Sequence, residues 1–159
     1  MKLWLVRHAE AVDAEAFHGT DLERPLTPEG RRSAQAAYLR LASLRRGPEV
    51  IVSSEAVRAW ETARILAVAY GRVDCRRTPL LNPGCRFKDI RRAVAGLPSR
   101  IDFAALVGHE PDFSNAVSRW TAGGALAMDI RKGAVVELEL DDAGGAELRM
   151  IVPPDLLGG

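Results

Sequence analysis

The chain opens with an uninterrupted apolar run, Leu3-Trp4-Leu5-Val6, that stops abruptly at Arg7-His8. Such a run reads as a buried strand of the kind found inside parallel sheets. It delivers two cationic side chains to its carboxyl end, which is where an open α/β sheet keeps its ligand site. A guanidinium holds phosphate or carboxylate oxygens through paired hydrogen bonds, and a neutral imidazole is a nucleophile toward phosphorus. An isolated Arg-His dipeptide proves little, so the remaining chain has to supply the rest of a site.

The connection from about Ala9 to Leu26 is long for a compact domain, and loops of that length are commonly lids or mobile segments. It is acidic: Glu10, Asp13, Glu15, Asp21 and Glu23 outnumber Arg24, with His18 beside Gly19. Asp13, Glu15 and Glu23 read as solvated loop residues, whereas Glu10 and His18 are candidates for proton transfer. Thr27-Pro28 then supplies a helix cap and a proline at the first helical position, and Ala34, Ala37, Tyr38, Leu41 and Leu44 recur at helical spacing. This helix ends near Arg45-Arg46-Gly47-Pro48.

Val50-Ile51-Val52 predicts a second buried strand, and Ser54 a cap for the next helix, whose buried face is Ala59, Ala63, Leu66, Ala67 and Tyr70. Arg58 falls in its first turn. A weaker strand from Val73 to Arg77, an irregular segment from Pro79 to Gly84 and a helix near Lys88 to Ala95 follow. Phe103-Ala104-Ala105-Leu106-Val107 is the next strand and runs straight into Gly108-His109-Glu110-Pro111, with a helix continuing through Phe113, Ala116, Val117 and Trp120. Ala134 to Leu140 and Ala146 to Val152 alternate around Asp142-Ala143-Gly144-Gly145, a hairpin signature. Trp4, Trp60 and Trp120 read as packing residues.

Strands alternating with helices predict an α/β three-layer sandwich with a largely parallel central sheet and a C-terminal antiparallel hairpin. The 159 residues, 47% hydrophobic and 27% charged, suit one domain over 1–152 with a C-terminal tail at 153–159. A formal net charge of +1 gives no global basic field for nucleic acid or an anionic membrane, so any anion specificity is local. Cys75 and Cys85 form neither a disulfide framework nor a metal-ligand spacing, which suits a reducing cytoplasm without a structural metal. The apolar start is too brief for a secretory core, and no later stretch approaches a membrane span.

Arg7-His8, Arg58 and His109 all lie at strand-to-helix junctions. Together they can surround a phosphoryl group, whose transfer leaves charge on its equatorial oxygens, while one histidine takes the group in line. Here the sequence resembles the histidine phosphatase superfamily, the phosphoglycerate-mutase-like fold. Its Arg-His-Gly signature corresponds to Arg7-His8-Ala9, and its Ser-x-x-x-x-Arg-Ala-x-Glu-Thr-Ala segment to Ser53 through Ala63. Its Gly-His element corresponds to Val107-Gly108-His109-Glu110-Pro111. The resemblance implies that His8 is the nucleophile forming a phosphohistidine, that Arg7 and Arg58 clamp phosphoryl oxygens, and that His109 stabilises charge in transit. A backbone carbonyl is expected to fix the His8 tautomer, and the arginines to depress its protonation.

The departures are informative. Ala9 replaces glycine, and the interval from Arg58 to His109 is short, with no evident carboxylate acid in Asn82-Pro83-Gly84-Cys85-Arg86. Short members of this kind resemble the SixA group of phosphohistidine phosphatases, as does Asp21-x-x-Arg24-Pro25-Leu26-Thr27-x-x-Gly30, which adds Arg24 to the expected substrate-binding residues. An alkoxide needs a proton to leave, whereas a phosphorylated imidazole protonated on its other nitrogen departs as neutral imidazole, whose conjugate acid has a pKa near ~6.5.

The leading expectation is therefore a cofactor-independent phosphatase acting on a phosphorylated protein of the histidine-phosphotransfer type. A second keeps the chemistry but takes a small phosphomonoester, such as a sugar phosphate or nucleotide, with Glu10 or His18 as general acid. A third, a non-catalytic phosphate-binding module, needs the arginines but no nucleophile. A mutase needs a second anion-binding cluster, which is not evident. Arg86, Lys88, Arg91 and Arg92 read as a solvated helix face, with docking of an acidic partner as the alternative.

Overall fold

The computed structural model describes residues 1–158. Ten regular elements follow in order: β1 (Lys2–Arg7), α1 (Pro28–Leu44), β2 (Val50–Ser53), α2 (Val57–Ala69), β3 (Asp74–Arg77), α3 (Phe87–Ala95), β4 (Phe103–Gly108), α4 (Asp112–Ala122), β5 (Val135–Leu140) and β6 (Ala146–Val152). The strands form one sheet in the order β3-β2-β4-β1-β5-β6. β1, β2, β3 and β4 pair in parallel, while β5 runs antiparallel to both β1 and β6. This is the three-layer α/β sandwich that the alternation of elements predicts.

The apolar opening run explains the layers. Trp4 and Val6 enter a core with Ala34, Tyr38 and Leu41 of α1 and Ala59, Ala63 and Leu66 of α2. Leu3 and Leu5 enter the opposite core, with Ile90 of α3 and Phe113, Ala116 and Val117 of α4. Each of these four strand side chains is fully buried, worth about 1.5 to 3 kcal/mol apiece against exposure. Trp4 also donates its indole N–H to Glu137 Oε2 at 2.8 Å, so the buried Glu137 carboxylate is satisfied from β1 and, through Arg45, from the end of α1.

Thr27 caps α1 as the sequence predicts, its side chain accepting from Gly30 N. Ser54 does not cap α2: the helix begins at Val57 with Ala56 at the cap position and no side-chain cap bond. Ser54 Oγ accepts from Ala56 N at 3.1 Å but is otherwise occupied, as described below. The connection of residues 8–27 is tied down at its base rather than splayed. An Ala11–Leu26 bridge, Val12 N donating to Pro25 O and Thr27 N donating to Glu10 O close it, with a short 3-10 turn at Asp21–Glu23. Past β6, a further 3-10 turn at Pro154–Leu157 brings Leu157 against the α1 and α2 core.

The strand ends that matter are level with one another. Arg7 is in register with Gly108, and Ser53 with Val107. His8 N donates to Gly108 O and Ser54 N to Val107 O, so His8, His109 and Ser54 leave the sheet together.

Candidate active site

His8 and His109 face each other across adjoining strands β1 and β4, their ring centroids 5.2 Å apart. His8 Nδ1 lies 2.8 Å from the Ala9 carbonyl oxygen. A carbonyl only accepts, so Nδ1 carries the proton and the lone pair sits on Nε2. That is the form of imidazole that attacks phosphorus. Burial, then the charges of Arg58, Arg7 and Arg24, hold the His8 pKa down to about 4 against the bond to Ala9, keeping the ring neutral at neutral pH. Burial and the neighbouring His8 and Arg58 depress His109 to about 3.

The arginines arrive from separate elements. Arg7, at the end of β1, donates from Nη1 to Ile130 O at 2.5 Å. Arg58, in the first turn of α2, is buried to 3% exposure and donates to Asp21 twice, from Nη1 to the backbone oxygen at 2.5 Å and from Nη2 to Oδ2 at 2.7 Å. Arg24 takes the other oxygen of the same carboxylate, Asp21 Oδ1, at 2.9 Å and donates to Val12 O. The two guanidiniums keep Asp21 ionised, below the ordinary aspartate range, even though partial burial works against it. Three buried side-chain nitrogens converge here without hydrogen-bond partners: Arg7 Nε, Arg58 Nε and His109 Nδ1. Buried polar groups are nearly always paired, so the two free guanidinium N–H groups suit a ligand rich in oxygen.

The Glu61-Thr62 pair after Arg58 holds this arrangement together. Thr62 Oγ1 donates to Arg58 O and accepts from Ala9 N, tying α2 to the residue after His8. Glu61 accepts from Leu26 N at 2.8 Å and from Arg31 at 2.6 Å, tying α2 to the start of α1. Glycine is required at two of the close approaches: a Cβ on Gly30 would lie 2.1 Å from Glu10 O, and one on Gly108 would lie 2.6 Å from the Phe113 ring.

Of the residues singled out in the sequence, Arg7, His8, Arg24, Arg58 and His109 are brought to one place. Glu10 and His18 are not among them. Glu10 is exposed and its Oε1 accepts from Lys132 at 2.7 Å, while His18 is exposed in the connection. Sequence reasoning missed four side chains at this site. Asp21 bridges two arginines. Ser54 lies 2.9 Å from His109 Nε2 and Asn82 Oδ1 lies 3.0 Å from Ser54 Oγ. Glu110, directly after His109, accepts from Ser114 through Oε2 at 2.5 Å while its Oε1 is buried without a partner, and burial pushes its pKa up. Asp21 and Ser54 stood inside the motifs already quoted, so their position relative to Arg24 and Arg58 was the available signal.

Known proteins share this architecture. The solved protein histidine phosphatase SixA in complex with tungstate superposes with a TM-score of 0.86 over 99% of both chains at 19% identity. A structure from Nakamurella multipartitia, described as that of a candidate phosphohistidine phosphatase SixA, superposes with a TM-score of 0.78 at 26% identity, over 96% of this chain and 95% of that one. An uncharacterized protein of Picosynechococcus sp. is 33% identical over 116 residues, 70% of this chain and 68% of that protein. Residues 3–82, which carry Arg7, His8, Arg24 and Arg58, match the family model of the histidine phosphatase superfamily (branch 1). With that match and that relative added to the shared fold, the chain belongs to the histidine phosphatase superfamily.

Proposed function

We propose that this protein is a phosphatase that hydrolyses protein phosphohistidine through a covalent intermediate on His8 Nε2. The observation that carries the reading is the His8 ring itself: neutral, with its proton held at Nδ1 by Ala9 O and its lone pair left at Nε2 among Arg7, Arg58 and His109. In the first step the Nε2 lone pair forms a bond to phosphorus as the substrate P–N bond breaks, and the substrate imidazole leaves with that electron pair. In the second, water forms the new P–O bond, the His8 P–N bond breaks with its electron pair returning to Nε2, and the extra proton of the water passes to a phosphoryl oxygen, so that phosphate leaves as its monoanion. His8 Nδ1 keeps its proton throughout. Arg7 and Arg58 hold the equatorial oxygens, where charge is greatest in transit, and Arg24 acts through Asp21 to fix Arg58.

The substrate class follows from the leaving group. Asp21, the carboxylate shared by Arg24 and Arg58, is ionised and has no proton to give. A phosphohistidine needs none, because its protonated imidazole leaves neutral. The described Nakamurella SixA supports the same class. The partner would be a phosphorylated protein of the histidine-phosphotransfer type in the cytoplasm, where Cys75 and Cys85 remain free thiols.

Glu110 favours a second reading. A half-buried carboxylic acid with a raised pKa beside His109 is the kind of group that protonates an alkoxide, so a small phosphomonoester would use Glu110, rather than Glu10 or His18, as its acid. The deciding experiment is phosphate release from an autophosphorylated histidine-phosphotransfer protein, comparing wild type with His8→Ala and without added metal. Release by the wild type alone is expected. No release, with His8-dependent hydrolysis of an alkyl phosphate, transfers the assignment to the second reading.

A further inference from the structure

The hydrogen bonds behind His109 determine where its proton sits. Glu55 N lies 2.9 Å from one side-chain atom of Asn82, and a backbone N–H only donates, so that atom is the amide oxygen. Asn82 Nδ2 donates in turn to Glu55 Oε2 at 3.0 Å, which fixes the amide's orientation. Ser54 Oγ is 3.0 Å from the same amide oxygen and must spend its single proton there. Its remaining capacity is to accept. It accepts from Ala56 N at 3.1 Å and meets His109 Nε2 at 2.9 Å, so His109 Nε2 is the donor. Ser54 is fully buried and His109 is 3% exposed, so water does not compete for these bonds.

We infer that the Asn82–Ser54 pair fixes His109 as the Nε2–H tautomer, and that His109 therefore holds a phosphoryl oxygen only by taking a second proton at Nδ1, as an imidazolium formed on binding. The assignment rests on the phosphatase reading for its ligand and deepens it: Ser54 and Asn82 are positioning residues acting through His109. With Nε2–H committed to Ser54, the neutral ring offers a lone pair at its free edge, which repels a phosphoryl oxygen. The second proton converts that edge into a charged donor. The charged and titratable groups facing the ring are His8 from β1, Arg58 from α2, and Arg24 and Asp21 from the connection. Three of these four disfavour the proton and Asp21 favours it, so the free site waits neutral until a dianion arrives. The two histidines thus carry opposite tautomers, Nδ1–H on His8 and Nε2–H on His109.

Long-range proton–nitrogen spectra of the 15N-labelled protein at neutral pH, taken without any oxyanion, test the tautomer directly. Nε2–H on His109 is expected. Folded Ser54→Ala should lose that preference, and Asn82→Asp, which keeps an oxygen facing Ser54, should retain it. Nδ1–H in the wild type, or an unchanged tautomer in Ser54→Ala, overturns the assignment. If Ser54→Ala fails to fold, Asn82→Ala serves in its place, with the same two outcomes. Calorimetry of tungstate binding at pH 7 in buffers of different ionisation enthalpy tests the second proton. Uptake approaching one proton per site is expected, and binding without uptake overturns the imidazolium. Failure of tungstate to bind at all counts against the phosphatase reading, while the spectra still decide the tautomer.

Discussion

Asp21 holds Arg58 at both of its terminal nitrogens, through its backbone oxygen at 2.5 Å and its carboxylate at 2.7 Å, and so leaves the buried Nε as the edge of the guanidinium without a partner. The connection between β1 and α1 therefore sets how the arginine of α2 is presented. Removing the carboxylate in Asp21→Ala releases Arg58 Nη2 and uncouples Arg24, leaving only the bond from Nη1 to the backbone oxygen. We expect kcat/KM for an aryl phosphate to fall about tenfold, the loss of one positioned, charge-assisted interaction. Asp21 is half exposed, so the stability cost is on the order of 1 kcal/mol. Unchanged kcat/KM in a folded Asp21→Ala would show that the pair is structural only.

Glu110 discriminates between the two substrate classes. If phosphohistidine is the substrate, Glu110→Gln leaves its hydrolysis within about twofold of wild type. If an alcohol must leave, the same change lowers hydrolysis of an alkyl phosphate by roughly 100-fold, the usual worth of a general acid. Steady-state rates on both substrates with one variant separate the readings.

Gly30 lies inside α1, where replacing glycine by alanine in an open helix stabilises by about 0.5 to 1 kcal/mol. Here the sign reverses, because the added Cβ would lie 2.1 Å from Glu10 O, two residues after His8. Gly30→Ala is expected to destabilise the fold by about 1 to 3 kcal/mol, the range for overpacking, and to displace the backbone beside the nucleophile. Denaturant unfolding measures the first effect and kcat/KM the second. A stabilised variant would contradict the packing described for this contact.

The depressed histidines link stability to pH. The unfolded chain protonates His8 near 6.5 and the folded chain only near 4, so between those values the unfolded state binds more protons and stability falls as acid is added. His8→Gln removes this contribution. The stability of wild type relative to His8→Gln should fall by about 1 to 3 kcal/mol from pH 7 to pH 4. Parallel profiles would show that His8 titrates alike in both states.

The placement of Arg7, His8, Arg58 and His109 was legible because each ends or follows an apolar run that can only be a strand or a packed helix face, and the register of a parallel sheet then brings the ends together. Glu10 was misleading for a reason that no local pattern reveals: its partner, Lys132, is 122 residues away. Ser54 carried a sound local signal for capping, but Asn82, 28 residues later, claims its proton and turns the serine toward His109. Glu110 stood in the sequence only as the residue after His109, and it is the packing of α4 and Ser114 around it that supplies the burial raising its pKa.

The most direct test of the central claim is to trap the phosphoenzyme. Wild type and His8→Asn are mixed with a radiolabelled phosphohistidine protein, quenched in alkali within the first turnover, and the label is mapped. Label on His8 that survives alkali and is lost in acid, and that is absent from the variant, is the predicted result. Turnover by the wild type that leaves no label on His8, matched by equal turnover from His8→Asn, would contradict the account.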